Sequence, residues 1–387
     1  MSTHSYTNYS LKSLVLYFLK LGAIGFGGPV ALVGYMHRDL VEKRKWITED
    51  DYREGLALSQ LAPGPLAAQL GIYIGFVHYR LLGATLTGLA FVLPSFLMVV
   101  LLGVAYEYYQ GIRWMQAVFY GVGAAVIGII AISAYKLTKK SIGKDYYLWF
   151  IYLIAAIVTI ITENENILLS IGSGLFYWLV KSSTGLKQQA STVTQAIFPV
   201  LAQSTEAGQT DVTIHTSILL FFAKAGAFVF GSGLAIVPFL YGGVVKEYGW
   251  LNEQEFMDAV AVAMITPGPV VITVGFIGYL TAGFSGATVA AFATFFPCYL
   301  FTVIPAPYFS KYGKRPGLKA FVDGITAAAT GAIAGAVIVL GQRSIQDIPT
   351  VIICLGVIAS LVFFKKIQEP LVILVAALLG IFLKSAG

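Results

Sequence analysis

Residues 18–28 read FLKLGAIGFGG, and residues 222–233 read FAKAGAFVFGSG. The lysines, the glycine that follows each lysine and a second glycine align at an offset of 204. At the same offset, the tripeptide Pro-Gly-Pro at residues 63–65 recurs at residues 267–269. Similarity at one fixed offset indicates an internal duplication. The sequence therefore predicts two copies of one structural unit.

The composition places both copies in a membrane. The chain has 387 residues, of which 57% are hydrophobic and 11% are charged, whereas a soluble domain carries about 25% charged residues. Uncharged runs as long as a membrane-crossing helix recur from Leu14 to Leu383, and the strict alternation of a membrane β-barrel is absent. We therefore expect an all-α polytopic membrane protein, which excludes a soluble enzyme, a secreted protein and a nucleic-acid-binding protein.

Cysteine and histidine usage gives no sign of a metal centre. Cys298 and Cys354 lie inside apolar runs, and the four histidines are scattered in tails and loops. Metal sites need clustered ligands of this kind at short spacing. We expect no disulfide, metal ion or cofactor.

Basic residues predict how the two copies are oriented. The loop Met36–Glu54 carries five lysines and arginines, whereas the matching loop of the second copy carries only Lys246. Basic loops stay on the cytoplasmic side, so opposite charge at equivalent positions predicts an inverted repeat. The predicted units are an N-terminal membrane repeat at residues 1–180, a polar cytoplasmic linker at 181–216, and an inverted membrane repeat at 217–387.

Each copy is expected to cross the membrane about five times and to contain one re-entrant hairpin at its Pro-Gly-Pro tripeptide. The predicted spans are Leu14–Tyr35, 82–105, 114–135, 146–162 and 166–180 in copy one, and 217–240, 284–305, 320–341, 348–364 and 369–384 in copy two. The alternative is a kinked segment that crosses fully. That alternative would place a strongly basic cluster outside the cell, against the usual charge rule.

Lys20 and Lys224 are the cations that fall within the predicted spans, and they occupy the same repeat position. A charged side chain at membrane depth is a functional-site hypothesis. The alternative is that each lysine extends its amine to the membrane surface. In an inverted repeat the two lysines would approach each other across a shared cavity, where they would bind an anion.

Glycines follow each lysine, with Gly27 and Gly28 in copy one and Gly231 in copy two. Such residues interrupt a helix and free backbone N–H groups, which must then be satisfied by protein or by a ligand. A helix that restarts after the break directs its positive end at that ligand, which favours an anion. Close packing of helices through glycine is the alternative.

The Pro-Gly-Pro tripeptides predict sharp reversals, because proline cannot sustain helical hydrogen bonds. Polar side chains flank them, namely Gln60 and Gln69 in copy one and Thr266 and Thr273 in copy two. Neutral donors suit an oxyanion that has lost its water, although each could instead bond a neighbouring helix. The predicted substrate-binding residues are Lys20, Gly27, Gly28, Gln60, Pro63, Gly64, Pro65, Gln69, Lys224, Gly231, Thr266, Pro267, Gly268 and Pro269.

Acidic residues are missing from the middle of the predicted spans. Glu54, Asp258 and Asp323 fall near span ends, and the others fall in loops. This distribution argues against a carboxylate site for a cation.

Two long motifs carry a family resemblance. They are FGGPVALVGYMHRDLVEKRKWITEDDYREGLALSQLAPGP at residues 26–65 and FGSGLAIVPFLYGGVVKEYGWLNEQEFMDAVAVAMITPGP at residues 230–269. The chain resembles the chromate ion transporter family in its long, two-domain form. The resemblance implies a prokaryotic inner-membrane transporter that moves chromate, usually outward for resistance, with sulfate as the natural look-alike. Met264 and Thr273 depart from the glutamine and asparagine that the pattern leads us to expect.

The resulting hypothesis is a secondary transporter of a tetrahedral divalent oxyanion, with chromate efflux by alternating access. A sulfate transporter and a passive anion channel are the alternatives. A more distant one is an intramembrane lipid-phosphate enzyme, which would need a nucleophile and a base inside the site. The expected partners are the oxyanion and membrane lipids, without nucleic acid, and a homodimer is compatible with the sequence.

Overall fold

A computed structural model of the protein describes residues 9–26, 28–109, 113–163, 167–185, 213–228, 233, 236–312, 316–364 and 369–385. Throughout these residues the secondary structure is helical, without a β-strand. The all-α prediction is therefore confirmed for the described part of the chain.

The helices of the first half are α1 (Leu11–Ile24), α2 (Gly28–Met36), α3 (Glu49–Leu61), α4 (Leu66–Tyr109), α5 (Arg113–Ser141), α6 (Tyr146–Thr162) and α7 (Ile167–Gly185). Those of the second half are α8 (Ile214–Phe228), α9 (Ile236–Tyr241), α10 (Glu253–Ile265), α11 (Thr273–Val303), α12 (Ala306–Tyr312), α13 (Pro316–Ser344), α14 (Ile348–Phe363) and α15 (Glu369–Ser385).

Within the described residues, four stretches are long and apolar enough to cross a membrane. Two of them, Leu66–Tyr109 and Val270–Phe309, each contain a non-helical break, at Arg80 and at Ala282–Gly283, and the other two are Gln116–Ser141 and Pro316–Ser344. Shorter apolar helices lie at Tyr146–Thr162, Ile214–Ala227 and Ile348–Phe363. These helices agree with a polytopic membrane protein. The inverted orientation of the copies and the exact number of crossings stay predictions.

The order of elements recurs along the chain, including its irregular features. A π-helical segment follows α2 at His37–Lys43, and another follows α9 at Gly242–Glu247. A left-handed residue then precedes the next helix in each half, with φ of 53° at Lys45 and 59° at Gly249. Such coincidences of rare backbone conformations support a duplicated unit.

At the first Pro-Gly-Pro tripeptide the chain turns back on itself. Gly64 has a φ of 137°, which an L side chain rarely adopts. The two arms, α3 and the start of α4, then pack side by side: a Cβ added to Gly55 would collide with the ring of Tyr73. Gly55 and Tyr73 are equally far from Gly64 along the chain, so this contact requires a hairpin. The position of the hairpin relative to the bilayer stays a prediction.

The two halves exchange helices in their packing. The long helix α5 of the first half packs against α14 and α15 of the second, and α13 packs against α6 and α7 of the first. Glycines permit the close approach: Gly121 of α5 meets the backbone of Ala376, and Gly331 of α13 meets the backbone of Tyr152. Each half is therefore covered largely by the other.

Candidate functional site at the crossed Pro-Gly-Pro turns

The Pro-Gly-Pro turn of the second half lies against the broken first helix of the first half. The backbone N–H of Gly268 donates a hydrogen bond to the carbonyl of Gly25, where α1 ends, at 2.9 Å. The hydroxyl of Ser95, on α4, donates to the carbonyl of Gly22 at 3.3 Å and leaves no room for a Cβ at Gly268. We call Gly22, Gly25, Ser95 and Gly268 the Gly268 junction.

The turn of the first half makes the reciprocal contact. Cys298 of α11 occupies the position equivalent to Ser95, and its thiol donates to the carbonyl of Gly226 in α8 at 3.5 Å. A Cβ at Gly64 would lie only 2.9 Å from the sulfur of Cys298. We call Gly64, Gly226 and Cys298 the Gly64 junction. Each turn is thus seated beside the first helix of the opposite half.

Gln69 contributes to the Gly64 junction a side-chain amide whose hydrogen-bonding capacity is only partly used. Its side chain is fully buried, and its Nε2 donates to the carbonyl of Pro63 at 2.6 Å. Its Oε1 has no hydrogen-bond partner among the described residues. One amide hydrogen and the amide oxygen therefore stay available in the first turn of α4, where helix N–H groups also lack intrahelical partners.

The other polar residues predicted from the sequence are placed differently. The hydroxyl of Thr266 donates to the carbonyl of Val262 at 2.6 Å, and that of Thr273 donates to Val270 at 2.8 Å. These hydroxyl hydrogens are therefore committed to the backbone. Gln60 is exposed near the end of α3. Of the predicted neutral side chains, Gln69 is thus the free donor that the structure brings to a junction.

The prolines of the turns provide shape rather than hydrogen bonds. Pro65, Pro267 and Pro269 are buried, and Pro63 is partly buried. Proline lacks an N–H group. Their contribution is therefore to end α3 and α10 and to fix the direction in which the chain returns.

Lys20 and Lys224 are exposed on their helices. Lys20 shares its face of α1 with Leu16 and Ile24, whose side chains are 53% and 59% exposed. Among the described residues, neither lysine forms a hydrogen bond or an ion pair. In this conformation both lysines lie on the outer surface of the helices whose ends form the junctions.

The glycines of the helix breaks are partly described. Gly28 begins α2 with a φ of 70°, and a Cβ placed there would meet open space. Gly27 and Gly231 lie outside the described residues. The structure therefore supports an interruption between the end of α1 at Ile24 and the start of α2 at Gly28, with free volume beside Gly28.

Asp258 is a buried polar residue that the sequence did not single out as functional. Only 4% of its surface is exposed. Its Oδ2 accepts a hydrogen bond from the hydroxyl of Tyr106 at 2.7 Å, and its Oδ1 accepts from Nε2 of Gln254 at 2.8 Å. The apolar residues around it in α10 are buried on every face, and such an all-round apolar helix was the available signal that its carboxylate lies inside the protein.

The comparison with known proteins covers both halves of the chain. The family model described as chromate transporter matches residues 12–178 and, a second time, residues 216–381. The chain belongs to the chromate transporter family. Its relatives include the chromate transport protein of Cupriavidus metallidurans, which is 64% identical over 98% of this chain and 95% of the relative.

Other relatives of this chromate transporter family member extend over similar lengths. The probable chromate transport protein of Synechococcus elongatus is 62% identical over 98% of this chain and 97% of the relative. The chromate transport protein of Pseudomonas aeruginosa is 30% identical over 96% of this chain and 92% of the relative. No solved structure matches the chain significantly. The family and the apolar helices together indicate a multi-pass membrane transport protein.

Proposed function

We propose that this family member transports a tetrahedral divalent oxyanion, with chromate exported across a prokaryotic cytoplasmic membrane by alternating access. The observation that carries the proposal is that each Pro-Gly-Pro turn packs against residues of the opposite half. The Gly268 turn bonds the end of α1 in the first half, and the Gly64 turn lies against Cys298 of the second half, whose thiol donates to α8. Relative movement of the halves therefore opens or closes a junction without breaking either hairpin.

The two halves are inserted in opposite orientations in this proposal. The basic loop at residues 36–54 is cytoplasmic, and the equivalent loop of the second half is external. The reciprocal contacts of Gly64 and Gly268 support a two-fold relation between the halves. With the axis of that relation in the membrane plane, one junction faces each side of the bilayer, and both hairpins are re-entrant.

The oxyanion is bound by backbone N–H groups at the helix starts and by the free amide hydrogen of Gln69. Buried N–H groups at a helix start attract negative charge. Lys20 and Lys224 supply the two positive charges that a dianion needs, because each carries a flexible stem and has no anionic partner among the described residues. They meet the oxyanion when a junction opens.

Electrical energy favours export. A dianion that leaves a cell with an inside-negative potential gains about 4.6 kcal/mol per 100 mV, twice the value for one charge. Export of chromate therefore needs no further source of energy, whereas import of sulfate by the same site would need one.

The test is flux of labelled chromate and sulfate in proteoliposomes with an imposed potential. We expect saturable chromate flux with counterflow in the parent and its loss in Lys20→Gln and Lys224→Gln, compared at equal amounts of folded protein. Lys12→Gln is the matched control, because Lys12 is also exposed on α1 but lies two turns before Lys20.

Other outcomes would redirect the proposal. Flux without counterflow would indicate a channel, and preference for sulfate would change the substrate. Parental flux in both glutamine variants would show that the lysines extend their amines to the membrane surface and do not bind the oxyanion. The backbone N–H groups and Gln69 would then bind it without them.

A further inference from the structure

A buried carboxyl group connects the second hairpin to the part of α4 that follows the break at Arg80. Asp258 lies on α10, the first arm of that hairpin, and bonds Tyr106 of α4. Gly268, at the tip of the same hairpin, contacts Ser95 of α4. Ser95 and Tyr106 are three turns apart and so lie on one face of α4. The seam between α10 and α4 therefore has the junction at one end and the carboxyl group at the other.

Among the residues that the structure describes, Asp258 has polar partners but no cationic one. Tyr106 and Gln254 each donate a hydrogen bond to it. The ring of Tyr106 is held between Phe119 of α5 and Phe276 of α11, with centroid distances of 5.6 Å to each. A carboxylate in such surroundings is stable only if its charge is compensated or if it binds a proton.

The charged groups near Asp258 do not compensate its charge. Glu255, which also lies on α10, is an anion and repels a negative charge on Asp258. Tyr106, on α4, is a neutral hydrogen-bond donor. Among the described side chains, no lysine, arginine or histidine of α4, α5, α11, α15 or the π-helical segment Gly242–Glu247 forms an ion pair with it. The remaining way to neutralise the group is a proton.

A route for that proton is present. Gln254 is exposed near the start of α10, and its amide touches Asp258. A tyrosine hydroxyl both donates and accepts hydrogen bonds. Tyr106 can therefore donate to the carboxylate and accept from the protonated acid, so the contact between α10 and α4 persists in both states.

We infer that Asp258 is a proton-binding site linked to oxyanion occupancy of the Gly268 junction. The inference rests on the proposed function, since it needs a dianion at the Pro-Gly-Pro turn. The dianion repels the carboxylate, so its arrival draws a proton from water onto an oxygen of Asp258. When the oxyanion leaves, the proton returns to water.

The expected coupling between proton binding at Asp258 and oxyanion binding at the Gly268 junction follows from the distance between the two sites. Ser95, which lies against Gly268, and Tyr106, which bonds Asp258, are eleven residues apart on α4, and this separation corresponds to about 16 Å along a helix. At an effective dielectric constant of about 20, repulsion between a dianion and a carboxylate at that distance changes the affinity for the oxyanion by about 30-fold. By reciprocity, the oxyanion affects proton binding by the same factor. Affinity for the oxyanion therefore falls as the pH rises.

The experiment uses purified full-length protein and chromate, at a pH at which chromate is wholly the dianion. A pH-indicator dye in weak buffer reports proton uptake when chromate is added, and titration calorimetry gives the affinity across pH. The parent should take up protons and lose up to about 30-fold in affinity for chromate as the pH rises. Asp258→Asn should bind chromate without proton uptake and with an affinity that does not depend on pH.

Two further variants complete the test. Asp258→Glu should restore the uptake, because it keeps a carboxyl group. Glu54→Gln changes the equivalent hairpin position of the first half, which is only partly buried, and should keep the uptake. Parental uptake in Asp258→Asn, or a parent whose affinity ignores pH, would overturn the inference. A parent that does not bind chromate would instead contradict the proposed function.

Discussion

Replacing Gln69 by leucine separates oxyanion binding from stability. The substitution removes the donor to the carbonyl of Pro63, and a buried carbonyl without a partner costs about 1–3 kcal/mol. It also removes the unpartnered Oε1, which returns about the same amount. The free energy of unfolding should therefore stay within about 1 kcal/mol of the parent. Binding should weaken by about 10- to 100-fold, because a hydrogen bond to a charged group contributes about 1.5–3 kcal/mol.

The assay is chromate binding by calorimetry, with thermal unfolding measured in the same detergent. Gln116→Leu is the matched control, since Gln116 is exposed at the start of α5 and should change neither quantity. If Gln69→Leu bound chromate like the parent, the Gly64 junction would not be a binding site. If it unfolded with a large loss of stability, the amide would have a structural role that the uncommitted oxygen does not suggest.

Three more predictions concern topology, packing and ion pairs. In otherwise native protein, an impermeant thiol reagent on intact cells should label a cysteine at Glu247 but not at the equivalent Lys43, since both positions are exposed and the loops lie on opposite sides in the proposal. Gly22→Ala should lower stability by about 1–3 kcal/mol in thermal unfolding, because its Cβ would collide with the backbone of α4. The hydrogen bond from Lys246, and then that from Arg343, holds the pKa of Glu163 below its usual value. The ion pairs of Glu163 therefore stabilise the protein fully above about pH 4.3, the ordinary glutamate pKa. Melting temperatures should fall as the pH drops below that value.

Each of these predictions has a contrary result. Equal labelling at both loop positions would exclude the inverted repeat. Gly34→Ala is the packing control, because a Cβ at Gly34 meets nothing within 4 Å, and equal stability of both alanine variants would contradict the close packing. Glu163→Gln should lose part of the acid dependence, and an unchanged pH profile would show that its ion pairs do not contribute.

The breaks and turns of the fold were predictable because they depend on local chemistry. Glycine and proline determine where a helix ends whatever surrounds it. Hence the reversal at Gly64 and the interruption before Gly28 follow from the residues themselves. Apolar runs likewise predict long helices, since length and hydrophobicity are properties of the segment alone.

The exchange of contacts between the halves could not be predicted in this way. The two halves have the same local sequence pattern, so a turn of one half could pack equally well against either half. Nothing in the sequence therefore indicates that Gly268 bonds Gly25 rather than a residue of its own half. Apolar neighbours also look alike whether they face lipid or protein. For that reason the sequence could not place Lys20 on an outer surface of the protein.

The exchange of long helices has a consequence for synthesis on the ribosome. Helix α5 ends at Ser141, whereas α14, one of the helices that cover it, begins at Ile348. At elongation rates of about 5–20 residues per second, the intervening residues take about 10–40 s to emerge. During that interval the small-residue face of α5 around Gly121 has no partner from its own chain, so the insertion machinery or lipid must shield it. Translation that slows between the halves should therefore expose the nascent chain to membrane proteases.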